Sequence, residues 1–250
     1  MINVVIPMAG NGSRFAQAGY DKPKPFIDVN GKPMIAKVLD NLSIKNARYI
    51  LLAKREHLES NKDIVNELLN HYDVSFIEVD NQTEGAACTV LYAHKLINNN
   101  DSLLLANSDQ LIDASIQDFI NKSSDASIMT FKDNNPKWSY AKVEDGFVTE
   151  VKEKVVISDN ATVGIYYFAK GKTFVNAAID MIIHNDRFNN EFYVCPVFNY
   201  VGARVNIYSI DSCKMHGPWP LPAAPCRSAS GSSGRRRFLP PPAGRSLGCR

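Results

Sequence analysis

The sequence predicts an α/β fold, a doubly wound and mostly parallel sheet whose second half is richer in strands, and three observations carry that prediction. Short apolar segments alternate with amphipathic helical segments about every 20–30 residues through the first half of the 250-residue chain. A glycine-rich loop follows the first of these segments, at the place where open α/β sheets put their ligands. Beyond residue 126 the helical periodicity gives way to closely spaced strand-like runs.

Residues 2–7 are apolar and β-branched and end at a proline, as a buried strand does. Residues 8–20, with Gly10, Gly12 and Gly19, are expected to be loop, with no helix directly after the glycines. A helix follows at 33–44, with Pro33 in its first turn and Ile35, Val38, Leu39 and Leu42 at helical spacing. Strands at 49–53, 74–79 and 102–107 alternate with helices at 60–72 and 85–98, and Ser108-Asp109 closes the last of these strands. In the second half, strands are expected at 126–131, 140–144, 148–153, 161–168 and 204–209, with one helix near 172–184. The folded domain therefore reads as residues 1–216, split into a first half (1–125) and a second half (126–216).

Composition narrows the function classes. Apolar residues make up 45% and charged residues 22%, as in a globular protein. No run of eighteen apolar residues is present, so no membrane-spanning helix is expected. The chain opens directly on a strand, without a basic segment and long apolar stretch, which argues against a signal peptide and for a cytoplasmic protein. The cysteines, Cys88, Cys195, Cys213, Cys226 and Cys249, form no CxxC pair, so free thiols are expected. From Gly217 onward there are six arginines and no Lys, Asp or Glu. Removing those six from the 28 basic residues leaves 22 against 26 acidic, a net charge of −4 over residues 1–216. That acidic body carries no footprint for nucleic acid. Residues 217–250, dominated by Pro, Gly, Ser, Ala and Arg, cannot bury enough apolar surface to offset their ordering entropy and are expected to be disordered. Such a tail is either a functional basic segment or, the favoured account given the abrupt shift in composition, out-of-frame or vector-derived sequence.

The first loop has the chemistry of a polyphosphate site. Glycines let the backbone approach phosphate oxygens, and Arg14 and Lys24 add positive charge against an anionic ligand and its leaving group. No GK[ST] follows, so the loop is not of the Walker A type.

Gly10-Asn11-Gly12-Ser13-Arg14-Phe15, then Lys22-Pro23-Lys24-Pro25-Phe26 and Val29-Asn30-Gly31-Lys32-Pro33-Met34-Ile35, together resemble the signature of the sugar-phosphate nucleotidyltransferases. These enzymes make nucleotide-sugars from an NTP and a sugar 1-phosphate. The resemblance covers about residues 1–212. It implies a Rossmann-like, doubly wound mixed sheet with a β-richer acceptor-binding half. Arg14 and Lys24 would be the catalytic residues that contact the phosphates. Met8, Ala9, Gly10, Asn11, Gly12 and Ser13, with Gln82, Gly85 and Ala86, would bind the nucleotide, the Gln82 amide suiting a base edge. Asp109 would ligate Mg²⁺, a hard cation that takes oxygen ligands and bridges phosphates. Tyr140, Glu153, Lys154, Gly164 and Glu191, with Tyr193 beside the last, would form the sugar-phosphate site. Partners would be an NTP and a sugar phosphate, with no nucleic acid or membrane. Relatives are often homo-oligomers.

The sequence departs from the family near its end. The family provides a second metal-binding Asp shortly before a Gly-Thr segment. Here Asp211 and His216 are the nearby candidates, and the chain runs on into Gly217-Pro218-Trp219-Pro220. Two alternatives stay open at this level. A glycosyltransferase of related fold would use a DxD motif, of which Asn107-Ser108-Asp109 is a partial version. A non-catalytic nucleotide-binding domain would keep the loop and lose turnover.

Overall fold

The computed structural model describes residues 1–216. The stretch from Gly217 onward, expected to be disordered, lies outside the described residues. In chain order the first half contains β1 (Ile2–Pro7), α1 (Ser13–Gln17), a 3-10 turn (Lys24–Phe26), the small hairpin β2 (Asp28–Val29) and β3 (Lys32–Pro33), α2 (Met34–Asn41), β4 (Ala47–Lys54), α3 (Arg55–Ser60), α4 (Lys62–His71), β5 (Val74–Val79), α5 (Ala86–Leu91), α6 (His94–Ile97) and β6 (Ser102–Ala106). The second half contains β7 (Leu111–Ile112), α7 (Ile116–Asn121), β8 (Ala126–Lys132), β9 (Tyr140–Glu144), β10 (Phe147–Lys152), β11 (Asn160–Phe168), α8 (Gly171–Ile183), a 3-10 segment (Cys195–Tyr200), β12 (Val205–Ile210) and the short β13 (Met215–His216).

One sheet runs through both halves. β5, β4, β1 and β6 lie side by side and parallel. β11 then packs antiparallel against β6, with Ile165 to Phe168 opposite Ala106 to Leu103. Beyond it β8 is antiparallel to β11 and parallel to β12. β9 and β10 branch off the front of β11 at the Ala161–Tyr140 pair. The chain steps from β1 to β4 and β5 on one side and returns to β6 on the other. This change of direction opens a crevice at the C-terminal ends of β1 and β6, the usual ligand position in such sheets.

The apolar runs of the central strands show no polar alternation because both faces are covered. On β1, β4 and β6, Val4, Ile6, Leu51, Ala53, Leu104 and Ala106 face one core with Ile35, Leu39, Leu68 and Phe119 of α2, α4 and α7. Their neighbours Val5, Ile50, Leu52, Leu103 and Leu105 face the other core with Val90, Ile97, Phe174 and Met181 of α5, α6 and α8. Each leucine so buried stabilises the fold by about 1.5–3 kcal/mol over its exposed state.

The structure corrects several expected elements. The 8–20 segment is not all loop. Gly12, at φ 58°, lets the chain turn so that its carbonyl accepts from the amides of Phe15 (2.8 Å) and Ala16 (3.2 Å), and α1 starts at once after it. That helix is five residues long and buries none of them, so it does not dock on the sheet as a dinucleotide-binding helix would. The helix expected at 60–72 is α4 at 62–71, and an additional short helix, α3, precedes it and ends at Asn61, whose Nδ2 donates to the His57 carbonyl. The helix expected at 85–98 divides, at Tyr92-Ala93. α7 was not foreseen, although Ser115 caps it by accepting from the Asp118 amide at 3.0 Å. Among the described residues no helix is long and apolar enough to cross a membrane.

Candidate active site

The loop after β1 forms one wall of a cleft at the crevice. Met8 and Ala9 are buried, and the Met8 amide donates to Leu52 of β4 at 2.8 Å, which ties the loop's start to the sheet. Gly10 to Phe15 then line a cavity of about 400 Å³. Lys24 opens the 3-10 turn between Pro23 and Pro25, where two fixed φ angles and the burial of Pro25 and Phe26 set its direction. Its ammonium lies 5.4 Å from the centre of the Phe15 ring and binds the Asp109 carboxylate.

Asp109 follows β6 at the C-terminal edge of the sheet and is 8% exposed. A carboxylate this buried needs a compensating partner, and the Lys24 ammonium supplies it. Among the described residues, no group of three or more His, Cys, Asp or Glu side chains is arranged to hold a metal ion. A lone carboxylate beside a glycine-rich, basic loop would suit Mg²⁺, a hard cation that takes one or two protein carboxylates.

The opposite wall comes from the turn before α5. Gln82, Thr83, Gly85, Ala86 and Thr89 line the same cavity, and Asn11 donates to Gln82 across it at 2.6 Å. Gly85 has φ 124°, and a Cβ there would sit 2.4 Å from the carbonyl oxygen and 2.5 Å from the nitrogen of Phe192. The glycine thus admits the 191–194 segment against α5, where the Phe192 amide donates to Glu84 (2.6 Å) and the Ala87 amide to Phe192 (3.0 Å). This docking brings Glu191 and Tyr193 to the same cavity.

A second cavity of about 510 Å³ adjoins the first and shares Arg14, Phe15, Lys24, Ala86 and Tyr193 with it. Its lining includes Asp109, Glu153, Gly164 and Tyr193, together with Asn107, Gln110, Trp138, Ser139, Thr162, Tyr166 and Cys195. Asn107 belongs to the partial DxD segment, and the other six join the site only in the structure. Thr162 and Tyr166 were within reach of a period-two reading from Gly164 on one strand; their hydroxyls meet at 3.3 Å. Gly164, at φ 89°, sits in the irregular stretch where β11 shifts register against β8, and a Cβ there would lie 2.2 Å from Asn107 Nδ2.

Two expected acceptor residues stand elsewhere. Tyr140 is buried in the core, with its hydroxyl donating to the Asn135 carbonyl at 2.8 Å, because its strand turns that face inward. It lines neither cavity, and its neighbours Trp138 and Ser139 do so instead. Lys154, in the left-handed region at φ 54°, lines neither cavity and donates to Tyr193 Oη at 3.0 Å. The two candidates for a second metal ligand also miss both cavities. Asp211 faces Lys214 at 3.6 Å, and His216 pairs with Asp113 at 2.7 Å, held outside by the β13–β7 pairing.

Burial dominates the protonation of the second cavity. It pushes the Glu153 carboxyl above the ordinary carboxylate value, against a hydrogen bond from Ser139 and the charge of Lys154. The Tyr166 hydroxyl and the Cys195 thiol are raised far by burial, and the Tyr193 hydroxyl by burial and its bond to Glu191. These three groups are neutral at physiological pH and are poor covalent nucleophiles.

A mixed α/β sheet with a parallel centre thus carries a glycine-rich loop with Arg14 and Lys24 after β1 and a buried carboxylate after β6. Residues 3–192 match the family model described as nucleotidyl transferase, and the chain belongs to that family. It is 24% identical over 173 residues to the bifunctional protein GlmU of Methanocaldococcus jannaschii, covering 68% of this chain and 40% of that protein. The chain thus spans less than half of that relative's length. It is also 24% identical over 216 residues to the UTP–glucose-1-phosphate uridylyltransferase AglF of Haloferax volcanii, covering 74% of this chain and 85% of that one. Among solved structures, the nucleoside-diphosphate-sugar pyrophosphorylase of Vibrio cholerae RC9 shares the fold with a TM-score of 0.74 at 22% identity, covering 85% and 93% of the two chains. The inositol-1-phosphate CTP transferase of T. maritima shares it with a TM-score of 0.67 at 14% identity, covering 84% and 86%. The family match takes the place of the glycosyltransferase alternative.

Proposed function

We propose that this chain transfers a nucleoside monophosphate from an NTP to the phosphate of a sugar 1-phosphate or a similar phosphorylated acceptor, releasing pyrophosphate. One observation carries the reading: two cavities meet at Arg14 and Lys24, with Asp109 bound to that lysine. The first cavity has the glycine-rich loop and an amide for a base. The second has hydroxyls, a buried carboxylate and aromatic rings, a lining suited to a polyol. The names of AglF and the T. maritima enzyme pair UTP with glucose 1-phosphate and CTP with inositol 1-phosphate, so both base and acceptor vary in proteins of this fold.

In the proposed reaction an acceptor phosphate oxygen forms a bond to the α-phosphorus while the bond from that phosphorus to pyrophosphate breaks. The attacking oxygen is already ionised, so no general base is needed, in keeping with the neutral state of Cys195, Tyr166 and Tyr193. Arg14 and Lys24 would align the two phosphate groups and offset the charge that gathers on the leaving pyrophosphate. Mg²⁺ held by Asp109 with the triphosphate would supply further charge neutralisation. Lys154 is assigned to supporting the acceptor site through Tyr193. We assign the product to surface polysaccharide synthesis and the enzyme to the cytoplasm, as a homo-oligomer.

Incubating the purified protein with Mg²⁺, each NTP and a panel of sugar, polyol and amino-alcohol phosphates tests the reading by pyrophosphate release. Release with one NTP–acceptor pair is the expected result. Nucleotide binding with silence across the panel would instead identify a non-catalytic nucleotide-binding domain.

A further inference from the structure

Three residues in series decide which way the base-facing amide of the nucleotide cavity points. Lys54, the last residue of β4, has a side chain only 14% exposed and does not line the cavity. Its ammonium donates to Asn11 Oδ1 and also faces Glu56 at 3.3 Å. An ammonium has donors and no acceptor, so the Asn11 amide must turn its oxygen toward Lys54. Asn11 Nδ2 is then left to face Gln82, which must answer with its own oxygen, and the Nδ2–Oε1 distance is 2.6 Å. Gln82 is thereby left with Nε2 as the half of its amide available to a ligand in the cavity it lines. Without Lys54, both amides could reverse together and keep their mutual hydrogen bond.

We propose that Lys54 is a positioning residue for base selection: through Asn11 it fixes Gln82 as a donor, so the cavity selects a base that presents an acceptor at that point. This inference rests on the nucleotidyl-transfer reading of the cleft. Cytosine and uracil carry opposite hydrogen-bonding character at position 4 and at N3, as adenine and guanine do at position 6 and N1. Within either pair, one member matches a donor at Gln82 and the other matches an acceptor.

The series can be run backward. In Lys54→Glu an acceptor replaces the donor, Asn11 turns its Nδ2 to residue 54, and Gln82 presents Oε1 to the base. In Lys54→Met neither orientation is held, whereas Lys54→Arg keeps a side chain that only donates. Calorimetric binding of ATP, GTP, CTP and UTP to the full chain and its variants, with inorganic tripolyphosphate as a probe lacking a base, tests the inference. The expected result is about a tenfold fall in the preferred-to-disfavoured ratio within the selected pair for Lys54→Met, the scale of one hydrogen bond. Lys54→Glu should invert that ratio and Lys54→Arg restore it, with tripolyphosphate affinity unchanged within about twofold throughout. Ratios that stay within about twofold of the parent in both Lys54→Met and Lys54→Glu, while NTPs still bind, would overturn the relay and leave the function standing. Equal falls in NTP and tripolyphosphate affinity would overturn it as well, by reducing Lys54 to a structural role. Failure of the parent chain to bind any NTP would remove both.

Discussion

Gly85→Ala is the substitution whose cost can be worked most directly from the structure. Gly85 adopts φ 124° and ψ 174°, a region essentially confined to glycine, and a side chain there costs about 1–3 kcal/mol. The added Cβ would also lie 2.4–2.8 Å from three backbone atoms of Phe192, which cannot swing aside as a side chain could. The 191–194 segment must therefore move and give up the Phe192–Glu84 and Ala87–Phe192 hydrogen bonds. At about 0.5–1.5 kcal/mol each, these bring the total to about 2–6 kcal/mol, against about 5–15 kcal/mol for a whole domain. Urea unfolding measures the stability loss. Because Glu191 and Tyr193 ride on the displaced segment, nucleotide affinity measured on the folded fraction should fall too. Gly10→Ala is the control, since no atom lies within 4 Å of its added Cβ and its φ is not in the left-handed range. A loss below about 1 kcal/mol for Gly85→Ala, or an equal loss for Gly10→Ala, would refute the reasoning.

Other predictions follow from single contacts. Lys24→Ala should lower pyrophosphate release by at least about a hundredfold, as loss of a charge-stabilising donor does, and should cost roughly 1–3 kcal/mol of stability because Asp109 loses its partner; rates near the parent's would take Lys24 out of the chemistry. Glu153 has a carboxyl raised by burial, so the folded state binds its proton more tightly than the unfolded chain does. Its stability contribution is full below the ordinary value of 4.5 and is lost as pH rises through the higher folded value. Glu153→Gln should erase that decline in denaturation curves taken above pH 4.5, and an unchanged slope would contradict the assignment. Removing divalent cations with EDTA should stop turnover and adding Mg²⁺ should restore it; turnover that persists in excess chelator would remove the metal role given to Asp109.

Much of this architecture is legible along the chain because the forces behind it are local. Runs such as Val4-Val5-Ile6 and Leu103-Leu104-Leu105 can be satisfied only by a strand covered on both faces, and both runs are. The glycines, Arg14 and the proline-flanked Lys24 declare a phosphate loop by composition and spacing, and they do line one cavity. Local pattern failed where a distant partner outweighed it. The apolar stripe of residues 60–72 marks α4, but α3 just before it buries only Leu58 and leaves no such stripe to read. Tyr140 lies in a segment that resembles a substrate-binding one, but the pairing of β9 with β10 and β11 turns it into the core.

The sequence by itself determined the periodicities, the glycine-rich basic loop and the family, since each depends on residues close together in the chain. Only the tertiary structure decided which charges meet. Lys24 finds Asp109 across 85 residues, and Gly85 admits Phe192 and with it Tyr193. The Lys54–Asn11–Gln82 series joins three separate loops and strand ends. Hydrogen bonds and ion pairs act over a few ångströms, and the distance they act across is set by the sheet order, which no local stretch of sequence encodes.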